Sequence, residues 1–261
     1  MKDEGRGTKG SRFKVQGSRA GTYLKRISVF NQKLRTPNSE LRNPQSIRLG
    51  LFGGAFNPIH LGHLRAATEI QEAFSLSRIL FIPTAVPPHK VTWNLLPFAH
   101  RLKMVRLAIA GHPFLKASDI EKKRGGKSYS IRTLRYFKQT FGPKVELFFI
   151  IGIDAFWEIN TWREYCNLFK LCHFVVMDRP GYHRNRIQEF LLREIDPDII
   201  YFPKENRFLH PSGLSIYLFS ITLMDISSTR IRRLRQINQS IRYLLPEPVE
   251  DYIIRRNFYV P

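Results

Sequence analysis

The chain has 261 residues, 43% of them hydrophobic and 13% aromatic, with 42 Lys and Arg against 21 Asp and Glu for a formal net charge of +21. That is globular composition, which excludes wholesale disorder, and no run approaches the roughly 18 apolar residues of a membrane span. Two cysteines, Cys166 and Cys172, are too few for a disulfide scaffold and fit a reducing cytoplasm.

Residues 1–46 carry eleven Lys or Arg against Asp3, Glu4 and Glu40, a net of +8, and are rich in Gly, Ser and Asn. Their apolar residues keep neither a 2.0 nor a 3.6 period, so they read as a mostly disordered basic extension. A nucleic-acid-binding arm is the functional alternative, and a start assigned too far upstream is another. The remaining +13 falls on residues 47–261, read as one domain.

From Ile47 the pattern alternates. Ile47 to Phe52 reads as a strand, Gly53-Gly54 as a tight turn, and Leu61 to Phe74 as a helix with Leu64, Ala67, Ile70 and Phe74 on one stripe. Ile79 to Ile82 is a short strand stopped by Pro83, which completes a βαβ unit with a right-handed crossover. Helices follow from His100 to Ala110 and from Tyr129 to Thr140, the latter capped by Ser128, then a strand from Val145 to Ile151. A helix from Ala155 to about Phe169, a strand from His173 to Met177 and a helix near Arg186 to Ile195 come next. Strands at Ile199 to Phe202 and Ile216 to Leu223 precede a helical C-terminal portion, about residues 225–261. The strands are continuous apolar runs, as in sheets covered on both faces. The expected class is therefore α/β: a Rossmann-like open parallel sheet with helices on both faces and a small helical C-terminal part.

In such a sheet, ligands bind outside the carboxyl ends of the strands. Here that edge carries Gly53-Gly54-Ala55-Phe56-Asn57-Pro58-Ile59-His60-Leu61-Gly62-His63. The glycines let the backbone approach a ligand, and the following helix start directs N–H groups and its positive dipole end at the same space. His60 and His63, three apart, can face one side and donate to phosphate oxygens. The competing readings are two core histidines beside a glycine turn, or a zinc pair, but no third ligand follows at a useful spacing, so no protein metal site is expected. Gly126-Lys127-Ser128 is not a Walker A loop, because Glu121 stands where its first glycine belongs.

Gly53-Gly54-x-Phe56-x-Pro58-x-His60-x-Gly62-His63 resembles the first signature of the nucleotidyltransferases that carry an HxGH motif, and Ile226-Ser227-Ser228-Thr229-Arg230-Ile231-Arg232 resembles their ISSTxIR motif. Between them stand Pro87-Pro88-His89-Lys90, Lys127 to Leu134, and Ile150-Ile151-Gly152-x-Asp154 with Trp162 eight residues on. In this order the five blocks, spanning about Ile47 to the C-terminus, resemble the bacterial nicotinate mononucleotide adenylyltransferases. Two positions depart: Ala55 replaces the usual Thr or Ser and removes one hydroxyl donor near the phosphates, and Asn57 stands where Asp is frequent, an Asn being a variant the family also shows.

The resemblance implies transfer of the adenylyl group of ATP to nicotinate mononucleotide, with Mg²⁺ held mainly by the ATP phosphates. It implies catalytic roles for His63, His60 and Arg232, with His63 at the α-phosphate. ATP would meet Gly53, Gly54, Phe56, His60, His63, Asp154, Ser228, Thr229 and Arg232. Lys90 would meet the mononucleotide phosphate, Trp162 would stack on the pyridine ring, and Ser130 and the Arg163 backbone N–H would hold the nicotinate carboxylate. For Asp154 the plainer reading is a helix N-cap, for Trp157 and Trp162 a place in the core, and for the ISSTRIR block a capped basic helix. A sister activity preferring nicotinamide mononucleotide or another phosphorylated acceptor stays open, as does a nucleic-acid-binding protein on the same fold. No membrane partner is expected, and the sequence leaves homo-oligomerisation open.

Overall fold

The computed structural model describes residues 47–88, 95–178 and 184–261, so the basic stretch 1–46 and Lys90 lie outside the described residues. Eight strands form one sheet: β1 (Ile47–Gly54), β2 (Arg78–Pro83), β3 (Leu115–Ala117), β4 (Val145–Gly152), β5 (His173–Asp178), β6 (Ile200–Phe202), β7 (Arg207–Leu209) and β8 (Ser215–Ser220). Their order is β3-β2-β1-β4-β5-β8-β7-β6. The six strands from β3 to β8 in that order pair in parallel. The last two depart from the all-parallel expectation, since β7 is antiparallel to β8 and β6 to β7. Only the 3₁₀ turn Pro203–Glu205 and Asn206, at φ 47°, separate β6 from β7, and a parallel crossover needs a dozen residues or more.

The helices are α1 (Leu61–Ala73), α2 (Phe98–Ala108), α3 (Ile120–Arg124), α4 (Ser130–Phe141), α5 (Ile153–Trp157), α6 (Tyr165–Leu168), α7 (Arg184–Phe190), α8 (Ser228–Gln236) and α9 (Glu247–Arg255). Strand alternation divides the core into two layers. On β4, Leu147, Phe149 and Ile151 join Ile131, Leu134 and Phe137 of α4 on one side. Phe148 and Ile150 join Ala67 and Ile70 of α1, Met104 and Val105 of α2, Ile231 of α8 and Val249 and Ile253 of α9 on the other. The C-terminal helices are therefore part of the second layer of the core.

Several sequence expectations shift. Gly53 and Gly54 are not a turn but the last residues of β1, still in register with Ile82 and Pro83. The bend comes at Phe56, with φ 47°. Helix α4 begins at Ser130 with Tyr129 at its N-cap, not at a Ser128 cap, because the Ser128 hydroxyl is spent elsewhere. The expected helix from Ala155 to Phe169 is broken into α5, a 3₁₀ turn at Ile159–Thr161 and α6. Ile159, Asn160 and Thr161 are weak helix formers; Asn160 bonds to Glu194, and Thr161 Oγ1 donates to the Glu158 carbonyl. Trp162 then adopts an extended backbone in the break.

The chain leaves β1 through α1 to β2 on one side, moves outward to β3, and returns through α4 to β4 on the other side of β1. The carboxyl ends of β1 and β4 thus meet at the point where strand order reverses, which is where a ligand crevice opens. Arg101 on α2 holds that edge. It is 1% exposed and donates from Nε to Leu96 O (2.8 Å), from Nη1 to Ala55 O (2.7 Å) and from Nη2 to Thr84 O (2.7 Å). Each buried carbonyl left without a donor costs about 1–3 kcal/mol. We expect Arg101→Met to lower the urea-derived unfolding free energy by ~3 kcal/mol or more, and Arg101→Lys to recover only part, because one ammonium cannot span three carbonyls.

Candidate active site

At the carboxyl end of β1, His60 occupies the N-cap of α1 and is 8% exposed, and His63 is half-buried one turn in. Their rings are packed together, tilted by 32°, with centroids 3.7 Å apart. Gly62 makes this possible, since a Cβ there would stand 3.2 Å from His60 Nδ1 and 3.9 Å from Ile226 O. The His60 N–H donates to His63 Nδ1 at 3.3 Å. That bond assigns the proton of neutral His63 to Nε2 and leaves Nε2–H as its outward donor. Burial lowers the pKa of His60 to about 4. Burial, and then the neighbouring His60 charge, lowers that of His63 well below the usual histidine value. At neutral pH the site therefore offers two uncharged imidazoles. His60 Nδ1, buried, has no partner among the described residues.

The Phe56 ring, expected at ATP, is 2% exposed and sits edge-on to His63 at 5.2 Å and to Phe52 at 5.9 Å. It wedges against the His63 imidazole and presents no ring face to a ligand. A Cβ at Gly54 would come within 3.0 Å of this ring, whereas Gly53 and Ala55 are exposed at the sheet edge. The first N–H of α1, expected to be free for an anion, is taken: Leu61 N donates to Leu244 O at 3.0 Å.

The second signature block, some 170 residues on, closes over the same loop. Ser227 is the N-cap of α8, its hydroxyl accepting from Arg230 N at 3.1 Å. The Ser228 hydroxyl donates to Pro58 O (2.7 Å), and Arg232 donates from Nη1 to Asn57 O (2.8 Å) and from Nη2 to Thr229 Oγ1 (3.2 Å). Ser228 and Arg232 thus first hold the His60 loop. Thr229, exposed and accepting from Arg232, keeps its hydroxyl proton for another partner. The side-chain oxygen of Asn57 accepts from Tyr259 Oη (2.8 Å) and Leu96 N (3.2 Å), so this one residue anchors both the C-terminal segment and the chain ahead of α2. Burial pushes the Tyr259 phenol above its ordinary pKa, which keeps it the donor. Neither Arg101 nor Tyr259 carries a local motif that could have marked it beforehand.

At the carboxyl end of β4, Asp154 is exposed in the first turn of α5, while the N-cap itself is Gly152. Trp162 is half-buried, edge-on to Phe149 at 6.3 Å, and the Arg163 guanidinium lies over the Tyr129 ring at 5.0 Å. These contacts bring Trp162 and Arg163 to the start of α4, where Ser130 is half-buried. Trp157 packs on Phe190 as a core aromatic at 5.2 Å. The arrangement is a row of neutral donors and backbone groups at β1, beside an aromatic and hydroxyl wall at β4: chemistry suited to a phosphorylated ligand carrying a planar ring.

Residues 51–234 match the cytidylyltransferase-like family model. A protein of Geobacter sp. (strain M21) named "Probable nicotinate-nucleotide adenylyltransferase" is 48% identical over 214 residues, 82% of this chain and 99% of its own. A protein of the same name from Geotalea uraniireducens is 46% identical over 213 residues, 82% of this chain and 98% of its own. Among solved structures, Plasmodium falciparum nicotinic acid mononucleotide adenylyltransferase complexed with NaAD superposes with a TM-score of 0.63 at 21% identity, over 82% of this chain and 97% of that one, which is a likeness of fold.

The imidazole pair has two measurable consequences. In ¹⁵N spectra at neutral pH, His63 should show a pyridine-type Nδ1 and a pyrrole-type Nε2. Because the folded pKa of His60 lies below the unfolded value near 6.5, the unfolded chain binds more protons between pH 6.5 and 4. The stabilisation is complete above about pH 6.5 and declines as pH falls toward 4, with a slope of about 1.4 kcal/mol per unit for one proton. Urea titrations of His60→Gln at several pH values should show that slope reduced by close to one proton.

Proposed function

The chain belongs to the cytidylyltransferase-like family and, among its members, to the nicotinate-nucleotide adenylyltransferases, and on that premise we propose the following reading of its site. The protein transfers the adenylyl group of ATP to nicotinate mononucleotide, giving nicotinate adenine dinucleotide and pyrophosphate. The observation that carries the assignment of residues is the convergence of the two signature blocks, through Ser228 and Arg232, on the loop that presents His60 and His63.

An oxygen of the mononucleotide 5′-phosphate attacks the α-phosphorus of ATP, a P–O bond forms, and the bond to the bridging oxygen breaks as pyrophosphate leaves. The nucleophile is already an anion, so no general base is required, and catalysis consists of positioning and charge stabilisation. His63 donates Nε2–H to an α-phosphoryl oxygen, and His60 donates to a neighbouring phosphate oxygen. Neutral imidazoles suit this role, because each gives a directed hydrogen bond without requiring a buried charge when the site is empty of phosphate. Gly53, Gly54 and Ala55 offer open backbone beside ATP; Thr229, and the parts of Arg232 that Asn57 and Thr229 do not engage, reach its outer phosphates. Phe56 and Ser228 act through the loop they hold.

Trp162 stacks on the pyridine ring, Ser130 and the Arg163 N–H take the nicotinate carboxylate, Asp154 takes a ribose hydroxyl, and Lys90 serves the mononucleotide phosphate. Mg²⁺ would come as part of the MgATP substrate and would supply charge neutralisation at the ATP phosphate oxygens. The imidazoles, hydroxyls and guanidinium of the site suit those oxygens better than they suit a hard cation, which takes oxygen ligands. Among the described residues there is no group of three or more His, Cys, Asp or Glu placed to hold a metal.

Purified protein mixed with MgATP and nicotinate mononucleotide should release pyrophosphate, and the acid should be used faster than the amide, because donors paired to a carboxylate go unmatched by an amide. His63→Ala should cut turnover by about 10² or more while leaving the thermal transition intact, the scale of one lost transition-state donor. A near-normal rate in that variant would remove His63 from its role.

A further inference from the structure

The short strap Thr84–Val86, directly after β2, is hydrogen-bonded on one flank to the end of β1 and on the other to Glu121 and Ser128. On the ATP flank, Thr84 N donates to Gly54 O at 2.9 Å, and Thr84 O accepts from the same Arg101 guanidinium that holds Ala55 O. On the other flank, Ser128 Oγ accepts from both Ala85 N and Val86 N at 3.0 Å, and Ser128 N donates to Val86 O at 2.9 Å. Glu121 of α3 adds a second acceptor: its Oε2 receives Ala85 N at 3.2 Å, and its Oε1 receives the Thr133 hydroxyl of α4 at 3.0 Å. Thr133 Oγ1 in turn accepts from Arg124 Nη1 at 3.0 Å. Glu121 and Ser128 are 8% and 7% exposed.

A carboxylate and a hydroxyl are costly to bury, and a loop needing only to stay folded could be covered by apolar side chains. What hydrogen bonds add is direction. They fix Thr84 N and O, Ala85 N, and Val86 N and O, and they tie this strap to Thr133 and so to the helix whose first residue is Ser130.

We propose that Glu121 and Ser128 are positioning residues for the transfer. Acting through the strap, they hold the acceptor wall at a fixed distance from the glycine end of β1, so that the mononucleotide phosphate lies in line with the α-phosphorus. The inference rests on the placement of the acceptor at Ser130 and Trp162 given above. It gives Glu121 and Ser128, which touch neither substrate, an influence on one substrate more than on the other.

Steady-state constants for both substrates test it. Glu121→Gln keeps the shape and one acceptor; Ser128→Ala removes both strap bonds, and Ser128→Thr restores the hydroxyl. The expected result is a KM for nicotinate mononucleotide raised about tenfold with a lower kcat, and a KM for ATP within about twofold, since small misplacements of reactants cost up to ~10² in rate. Ser128→Thr should return most of the loss. Equal changes in the two KM values, or no change in either, overturn the proposal, and if Ser128→Ala does not fold, Glu121→Gln decides by the same split. Wild-type turnover with unsplit constants defeats this inference alone, whereas absence of wild-type turnover defeats the acceptor reading and this inference with it.

Discussion

The buried guanidinium of Arg101 is the constraint on which the site depends. A charged group at 1% exposure is tolerated only where its donors are matched, and here three backbone carbonyls match them. Those carbonyls belong to Ala55 after β1, Thr84 after β2 and Leu96 before α2, so one side chain sets the spacing of three segments at the carboxyl edge. Once Ala55 is fixed, the bend at Phe56 follows, its ring lodges against His63, and Asn57 turns its side-chain oxygen to Tyr259 and Leu96. The left-handed backbone at Phe56 is a conformation that non-glycine residues seldom adopt, and the surrounding contacts hold it.

The electrostatics of the site differ from what the net charge suggests. Of the +21, +8 lies on residues 1–46, outside the described residues, and burial keeps His60 and His63 uncharged at neutral pH. Stacking two imidazoles 3.7 Å apart in a buried setting disfavours protonation of either. What the site offers an anion is therefore oriented dipoles and N–H groups, with Arg232 as a nearby fixed charge whose guanidinium is already oriented by Asn57 and Thr229. Preorganisation of this kind costs little rearrangement at the moment of reaction. The strap Thr84–Val86 repeats the device after β2, where the buried Glu121 and Ser128 fix a segment of backbone.

Much of the fold was legible because its signals are local. Apolar runs of strand length alternating with helical stripes give a sheet covered on both faces, and the first βαβ unit comes directly from Ile47 to Pro83. The signal failed where elements are too short to show a period, as at β3 and β7, each of three residues. It failed again where a helix-like apolar spacing hid a break, as between α5 and α6. The antiparallel pair β6–β7 escaped notice for a related reason: a single apolar run does not reveal its direction, which here is set by the length of the connection.

For the site, the sequence by itself determined that a glycine pair ends the first strand and that His60 and His63 stand one turn apart at the start of the helix that follows. These are properties of neighbours in the chain. Only the tertiary structure decided what each side chain is still free to do. Phe56 is a wedge, Ser228 a latch on Pro58, Ser128 a clamp on the strap, and His63 a donor through Nε2. The reason is physical: a side chain's role depends on which of its hydrogen bonds are already made, and those partners lie as far as 202 residues away along the chain.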